Sequence, residues 1–179
     1  MVVWVLWEHQ VVGSSPAIPT MQKAVIISGF PGIGKTHAYE HLKLMSDGIV
    51  MDSDSSKFDK SKFPDNYIEH IKAHYDKVSF MFVSSHKEVR DAMKEAGINF
   101  IVVYPNKSLK EEYLKRYKER GNAQAFIDLL DKMWDTWIDE IEGDNDLITY
   151  ALVREDVYLL DIIEMFKAAY EISRNLKHV

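Results

Sequence analysis

Short apolar runs alternate with amphipathic stretches along most of this chain. Ala24-Val25-Ile26-Ile27 opens the series; a small, β-branched run of this kind reads as a strand buried on both faces. A helix is expected from His37 to Met45, stopped by Ser46-Asp47-Gly48. Ile49-Val50-Met51 reads as the second strand, and Pro64-Asp65 opens a helix with Ile68, Ile71 and Tyr75 on its apolar side. Val78 to Val83 is the third strand, after which Ser85 and Glu88 have capping-box spacing for a helix closing at Gly97. Phe100 to Tyr104 is the fourth strand, halted by Pro105. Ser108 and Glu111 repeat the capping-box spacing for a helix that reaches Arg120 and ends at Gly121. A longer helix, from about Ala123 to Glu142, turns Ile127, Leu130, Trp134, Trp137, Ile138 and Ile141 inward. Leu147 to Tyr150 is the fifth strand, and a last helix covers about Tyr158 to Asn175.

Strands that alternate with helices predict a parallel sheet with helices on both faces, a three-layer α/β domain. No internal repeat, low-complexity tract or linker divides it. The chain has 179 residues, enough to bury about two thirds of its unfolded surface in one domain.

What lies between the first strand and its helix gives this fold a chemistry. Gly29-Phe30-Pro31-Gly32-Ile33-Gly34-Lys35-Thr36 fits the pattern G-x-x-x-x-G-K-[ST] at every fixed position. Strand, glycine loop and helix are the context in which that pattern binds phosphate. The glycines let the backbone wrap a phosphate chain, with N–H groups pointing inward at the positive end of a helix. Lys35 would reach the terminal phosphates, and the Thr36 hydroxyl would ligate Mg²⁺.

In a parallel sheet, ligands bind beyond the carboxyl ends of the strands, so polar groups there are the functional candidates. Asp52-Ser53-Asp54 follows the second strand, and period-two geometry sends both carboxylates to the same side. One would hold Mg²⁺, directly or through water, and the other would accept a hydroxyl proton or orient the acceptor. A solvated acidic turn is the bland alternative. At the third strand, Val83 is followed by Ser84-Ser85, not by the Mg²⁺-binding aspartate of motor ATPases and GTPases. Asn106-Lys107 continues as Ser108-Leu109, which lacks the guanine-reading Asn-Lys-x-Asp. Arg116 and Arg120 share one helix face beside Lys115 and Lys118. There they either close over a transferred phosphoryl group or pair with Glu111, Glu112 and Glu119 on a solvated face. His37/His41 and His70/His74 have i,i+4 spacing but lack the Glu of H-E-x-x-H, so packing or surface roles are expected of them.

Composition narrows the partners. With 22 basic and 28 acidic residues, the chain lacks the balance of a dedicated nucleic-acid binder. It contains no cysteine, which removes disulfides and thiolate metal sites. No apolar run approaches the roughly 18 residues of a bilayer span, and the expected compartment is the cytoplasm. Residues 1–20 stand apart: they contain no Lys or Arg and hold two of the four tryptophans. Gly13-Ser14-Ser15-Pro16 back-translates as GGT-TCG-AGT-CC, the T-arm sequence of a transfer-RNA gene. The expectation is a transfer-RNA gene read in frame, or a disordered extension, with the domain proper at 21–179 and no catalytic role for 1–20.

Together the loop, Asp52-Ser53-Asp54 and Tyr113-Leu114-Lys115-Arg116-Tyr117-Lys118-Glu119-Arg120 resemble the nucleoside monophosphate kinase and shikimate kinase branch of P-loop proteins. By element order the resemblance runs from roughly Lys23 to the last helix. It implies a P-loop NTPase fold with strand order 2-3-1-4-5 and an arginine-bearing lid after the fourth strand. Asp52-Ser53-Asp54 is similar to the D-x-D acceptor-site motif of shikimate and gluconate kinases, and the Tyr113–Arg120 segment falls at the lid helix. Arg154 falls where this superfamily often stacks a basic side chain on adenine. The chain also resembles small nucleotide kinases of bacteriophages and prophages. The implied activity is ATP- and Mg²⁺-dependent transfer from a nucleoside triphosphate donor to a small phosphate acceptor, a nucleoside or deoxynucleoside monophosphate. One departure is that no arginine lies between Asp54 and Ser84, while Arg90 comes later, in the following helix. Two alternatives therefore stay open: a kinase of another hydroxyl, such as a sugar, nucleoside or polynucleotide end, and a non-catalytic ATP-binding regulatory module.

Overall fold

A computed structural model describes residues 24–45, 50–163 and 165. The expectations for residues 1–20, for the Ser46-Asp47-Gly48 stop and for most of the last helix fall outside the described residues.

Five strands form one sheet: β1 (Val25–Gly29), β2 (Val50–Asp52), β3 (Phe80–Ser84), β4 (Ile101–Pro105) and β5 (Ile148–Leu152). All neighbours are parallel, in the order β2-β3-β1-β4-β5. The middle of the sheet is apolar on both faces: Ile26, Ile27, Met81, Phe82, Val83, Val102 and Val103 are buried. Strands covered from both sides have this composition. The edges are wetter, with β2 half-buried throughout and Ile148 and Thr149 of β5 exposed.

The helices are α1 (Lys35–Met45), α2 (Asp65–His74), α3 (Lys87–Glu95), α4 (Lys110–Glu119) and α5 (Gln124–Glu142). In α5 the expected inward row is present, with Ile127, Leu130, Trp134, Ile138 and Ile141 buried and Trp137 half-buried against them. Right-handed crossovers place α1 on one face of this strand order and α2, α3 and the α4–α5 pair on the other. Gly97 and Gly121 follow α3 and α4 with φ of 67° and 73°, the left-handed helix ends the pattern predicts. No helix among the described residues is long and apolar enough to cross a membrane.

Two helix starts differ from expectation, because neither capping box forms. α3 begins after His86, whose extended backbone offers its carbonyl to the Val89 and Arg90 amides at 3.0 and 3.1 Å, without a side-chain cap. The buried Ser85 instead accepts a hydrogen bond on its carbonyl from the Arg90 guanidinium. Before α4, Asn106 supplants Ser108: its Oδ1 accepts the Ser108 amide at 3.0 Å and the Ser108 hydroxyl at 2.8 Å. That caps a 3₁₀ turn, Lys107–Leu109, which runs into α4. An Asn placed two residues before the serine offers the freed amides a nearer acceptor.

The strand register sets the site. Gly29 stands level with Ser84 on one side and Val103 on the other, and Asp52 with Phe82. The carboxyl ends of β1, β2 and β3 thus make one shelf, and chain leaves the central β1 first toward β2 and later passes it to reach β4. Divergence of that kind opens a crevice above the sheet.

Candidate functional site

Residues Gly29–Thr36 span the end of β1, a tight loop and the first turn of α1. Gly32 and Gly34 have φ of 80° and 98°, which side chains adopt only under strain. Gly29 is crowded for a different reason: a Cβ there would lie 2.7 Å from Ile33 Cδ1 and 2.9 Å from Lys35 Cδ, so both side chains would have to move. The remaining positions anchor the loop. Phe30 is 1% exposed; its amide donates to the Val103 carbonyl at 2.9 Å, and its ring meets Trp134 and Trp137 edge-on at 5.4 and 6.3 Å. Ile33 is buried, and its carbonyl accepts the Leu159 amide at 3.1 Å. Contacts from β4, α5 and the chain after β5 therefore fix the loop before any ligand arrives.

Above the loop, at the amino end of α1, is a cavity of about 230 Å³ lined by Gly32, Gly34, Lys35, Thr36, His37 and Arg120. The first amides of a helix have no partners within the helix and carry partial positive charge. Lys35 Nζ donates to the carbonyls of Gly29 at 2.5 Å and Phe30 at 3.3 Å. Burial lowers the Lys35 pKa to about 8; Asp52 and Asp54 pull it back up, and Arg120 lowers it. Two cations and a row of amides thus face one space, which suits a polyanion, and Asp52 and Asp54 lie within electrostatic reach of Lys35. A larger hollow, about 360 Å³, lies at the opposite end of β4 and β5, where its Lys94 is already paired with Asp144 at 2.5 Å and Asp91 at 3.5 Å.

Asp52 ends β2, and Ser53 turns inward beneath it. The Ser53 amide donates to the Phe82 carbonyl at 2.8 Å, and its carbonyl accepts the Tyr67 hydroxyl at 2.6 Å. Tyr67 is fully buried, and its oxygen in turn accepts the Ser84 amide at 3.1 Å. One α2 side chain thus ties the ends of β2 and β3 together. Tyr67 precedes Ile68 among the buried residues of α2, and periodicity carries no sign of its bonds to Ser53 and Ser84. Both aspartates lie within electrostatic reach of Lys35, and their environments diverge. Burial raises the Asp52 pKa, against the pull of Lys35. Asp54 is held low by hydrogen bonds from Ser56, whose amide lies 2.9 Å away, with Lys57 and Lys60 adding positive charge.

The two arginines expected to act together are placed apart. Arg120 lines the cavity. Arg116 does not: it is 9% exposed and sits between the Tyr113 and Tyr158 rings, at 4.8 and 4.7 Å from their centroids. Its Nε donates to Glu112 at 3.0 Å, and its guanidinium also donates to the Glu155 carbonyl. In this arrangement Arg116 braces α4 against the segment after β5. Arg154 is exposed and paired with Asp156. Arg90 is buried against the Ser85 carbonyl. The His70 and His74 rings pack on each other at 4.4 Å, and His70 packs on Phe58 at 5.1 Å.

No family model and no curated protein matches this chain. Among solved structures, an uncharacterized protein from Eubacterium ventriosum ATCC 27560 is similar at 16% identity and a TM-score of 0.43, covering 83% of this chain and 99% of that one.

Proposed function

We propose that this chain is an ATP- and Mg²⁺-dependent phosphotransferase with a P-loop kinase fold, acting on a nucleoside or deoxynucleoside monophosphate. The observation that carries the reading is the convergence on one cavity of Lys35, Thr36 and Arg120, with Asp52 and Asp54 near enough to act on the charge of Lys35. The loop amides and Lys35 hold the donor phosphates, and Arg120 offsets charge developing on the transferred group. Diverging pKa values divide the work of the carboxylates. Asp52 accepts a proton or hydrogen bond from the acceptor, while Asp54 stays ionised and shapes the turn. Lys57 and Lys60, whose charge reaches Asp54, supply the attraction that an acceptor phosphate needs in place of an arginine.

The donor set fits Mg²⁺. The Thr36 hydroxyl and one carboxylate of the Asp52–Asp54 pair would be hard oxygen ligands, and no trio of His, Cys, Asp or Glu among the described residues forms a cage alone. A metal completed by phosphate oxygens and water has this kind of ligand set; bound here, it would neutralise phosphate charge.

A second reading, transfer to a hydroxyl, is favoured by the raised pKa of Asp52, because an alcohol must lose a proton to react. ADP formation across nucleoside monophosphates, nucleosides, sugars and 5′-hydroxyl oligonucleotides separates the two. Acceptor-dependent ADP release that Lys35→Ala abolishes is the expected result. Wild-type protein that binds ATP yet releases no ADP with any acceptor would make it a regulatory module instead.

A further inference from the structure

The face of α4 that meets the glycine loop carries a hydroxyl that packing does not explain. Tyr117 is 3% exposed, and its ring rests edge-on against Phe126 at 5.3 Å. Its Oη is buried and makes no hydrogen bond with any described residue. That oxygen lies 2.5 Å from where a Cβ of Gly32 would stand, with its Cζ at 2.9 Å, so only a glycine at 32 lets it approach the loop. Gly32 lines the cavity. Arg120 lines the same cavity, one turn beyond Tyr117 on α4, and is close enough to act on the ionisation of both Tyr117 and Lys35. Burial holds the Tyr117 pKa above its usual value, so at neutral pH the group is a proton donor.

A buried hydroxyl without an acceptor costs free energy, and phenylalanine would fill the same space without that cost. Helix-terminal amides, glycine geometry and an unpartnered buried donor therefore meet at one bend of the loop. We propose that the Tyr117 hydroxyl is a phosphate-binding group, donating a hydrogen bond to an oxygen of the donor's phosphate chain where that chain passes Gly32. The proposal rests on the phosphate-site reading above and adds a ligand contact from α4. It also gives the Arg116 brace a purpose: by stacking between Tyr113 and Tyr158, Arg116 fixes the α4 face that delivers Tyr117 to the loop.

The test is calorimetric titration of the full chain and of Tyr117→Phe with MgATP and with magnesium tripolyphosphate, alongside melting of each protein without ligand. The expected result is a free variant that melts no lower than wild type but binds both ligands about 10- to 100-fold more weakly, the range for a hydrogen bond to a charged acceptor. Affinities within about twofold of wild type would overturn the inference. So would a loss confined to MgATP, since the contact would then be to the nucleoside. If the free variant melts lower, 3-fluorotyrosine at position 117 decides: it keeps the hydroxyl and makes it a stronger donor, so tighter tripolyphosphate binding supports the contact and unchanged binding overturns it. Wild-type protein that binds neither ligand refutes the phosphate-site reading, and this inference with it. Binding by wild type with no change in the variants refutes this inference alone.

Discussion

The glycine loop and the segment after β2 both act on the charge of Lys35 and are built in different ways. Long-range contacts hold the loop: β4 takes the Phe30 amide, α5 takes its ring, α4 lays Tyr117 against Gly32, and Leu159 binds the Ile33 carbonyl. The hydrogen bonds of residues 54–61 are mainly short-range, Asp54 to the Ser56 amide, Asp59 to Ser61 and Lys60 to the Ser55 carbonyl, with Phe58 packed on Tyr67 and His70 of α2. A site set by the core keeps one geometry, whereas a site set by local turns can be re-cut by few substitutions. On the proposed reading, the donor side therefore belongs to the fold, and the acceptor side to this chain's own sequence.

The sharpest way to break that comparison is to exchange the aspartates one at a time. Asp52→Asn removes the half-buried carboxylate proposed to accept the proton and should lower the transfer rate by about 100- to 10,000-fold, the span of general-base catalysis, with ATP affinity nearly intact. Asp54→Asn keeps a turn-capping acceptor and should cost less than about tenfold by the same scale. Acceptor-dependent ADP release and ATP titration of both variants provide the check. Equal losses at the two positions would show that the division of labour is wrong.

A smaller effect is expected from α4, where two arginines one turn apart belong to different structures. Arg120→Ala should lower transfer by about 100- to 1,000-fold, as loss of one charge-stabilising donor does, while the free protein melts as before. Arg116→Ala should behave in reverse, losing about 2 kcal/mol of stability with its ring stacking and charged hydrogen bonds. Melting curves and turnover on the same preparations separate the pair. A melting loss at Arg120 without a rate loss would place it in the brace as well.

These two arginines also mark how far residues alone can be read. The alternation of strands and helices, the loop, the inward row of α5 and the glycine helix ends all follow from periodicity and local conformational preference, whereas the strand order is what the resemblance implies. Those signals act over a few residues and are visible in a string. The i,i+4 spacing put Arg116 and Arg120 on one face, as it should, but could not show that two tyrosines enclose one of them. Tyr158 comes from beyond β5, and only the sheet brings it there. Tyr67 and Tyr117 were overlooked for the same reason, because their partners, Ser53, Ser84 and Gly32, lie far off in sequence. The capping boxes failed differently: Ser85 and Ser108 have the right spacing, but Asn106 and the Arg90 guanidinium compete locally. Pattern spacing does not record such competitors.

The smallest effect concerns Lys35, the residue on which both segments act. Burial brings its pKa to about 8 from the ordinary 10.5, so between these values the unfolded chain binds a proton that the folded chain does not. The folded form therefore gains stability from this group as pH rises from about 8 to about 10.5. Phosphate binding works in the opposite sense, because an anion beside Nζ favours the charged form and raises the pKa again. Above about pH 8, binding should take up a proton, and affinity should fall by at most about tenfold per pH unit, even as the free protein grows more resistant to unfolding. Calorimetry in buffers of different ionisation enthalpy measures the uptake directly. Lys35→Arg supplies the control, since a guanidinium stays charged throughout this range and should abolish both the uptake and the slope. If the uptake persists in that variant, the proton belongs to another group, and the core-built side of the cavity does not govern its charge.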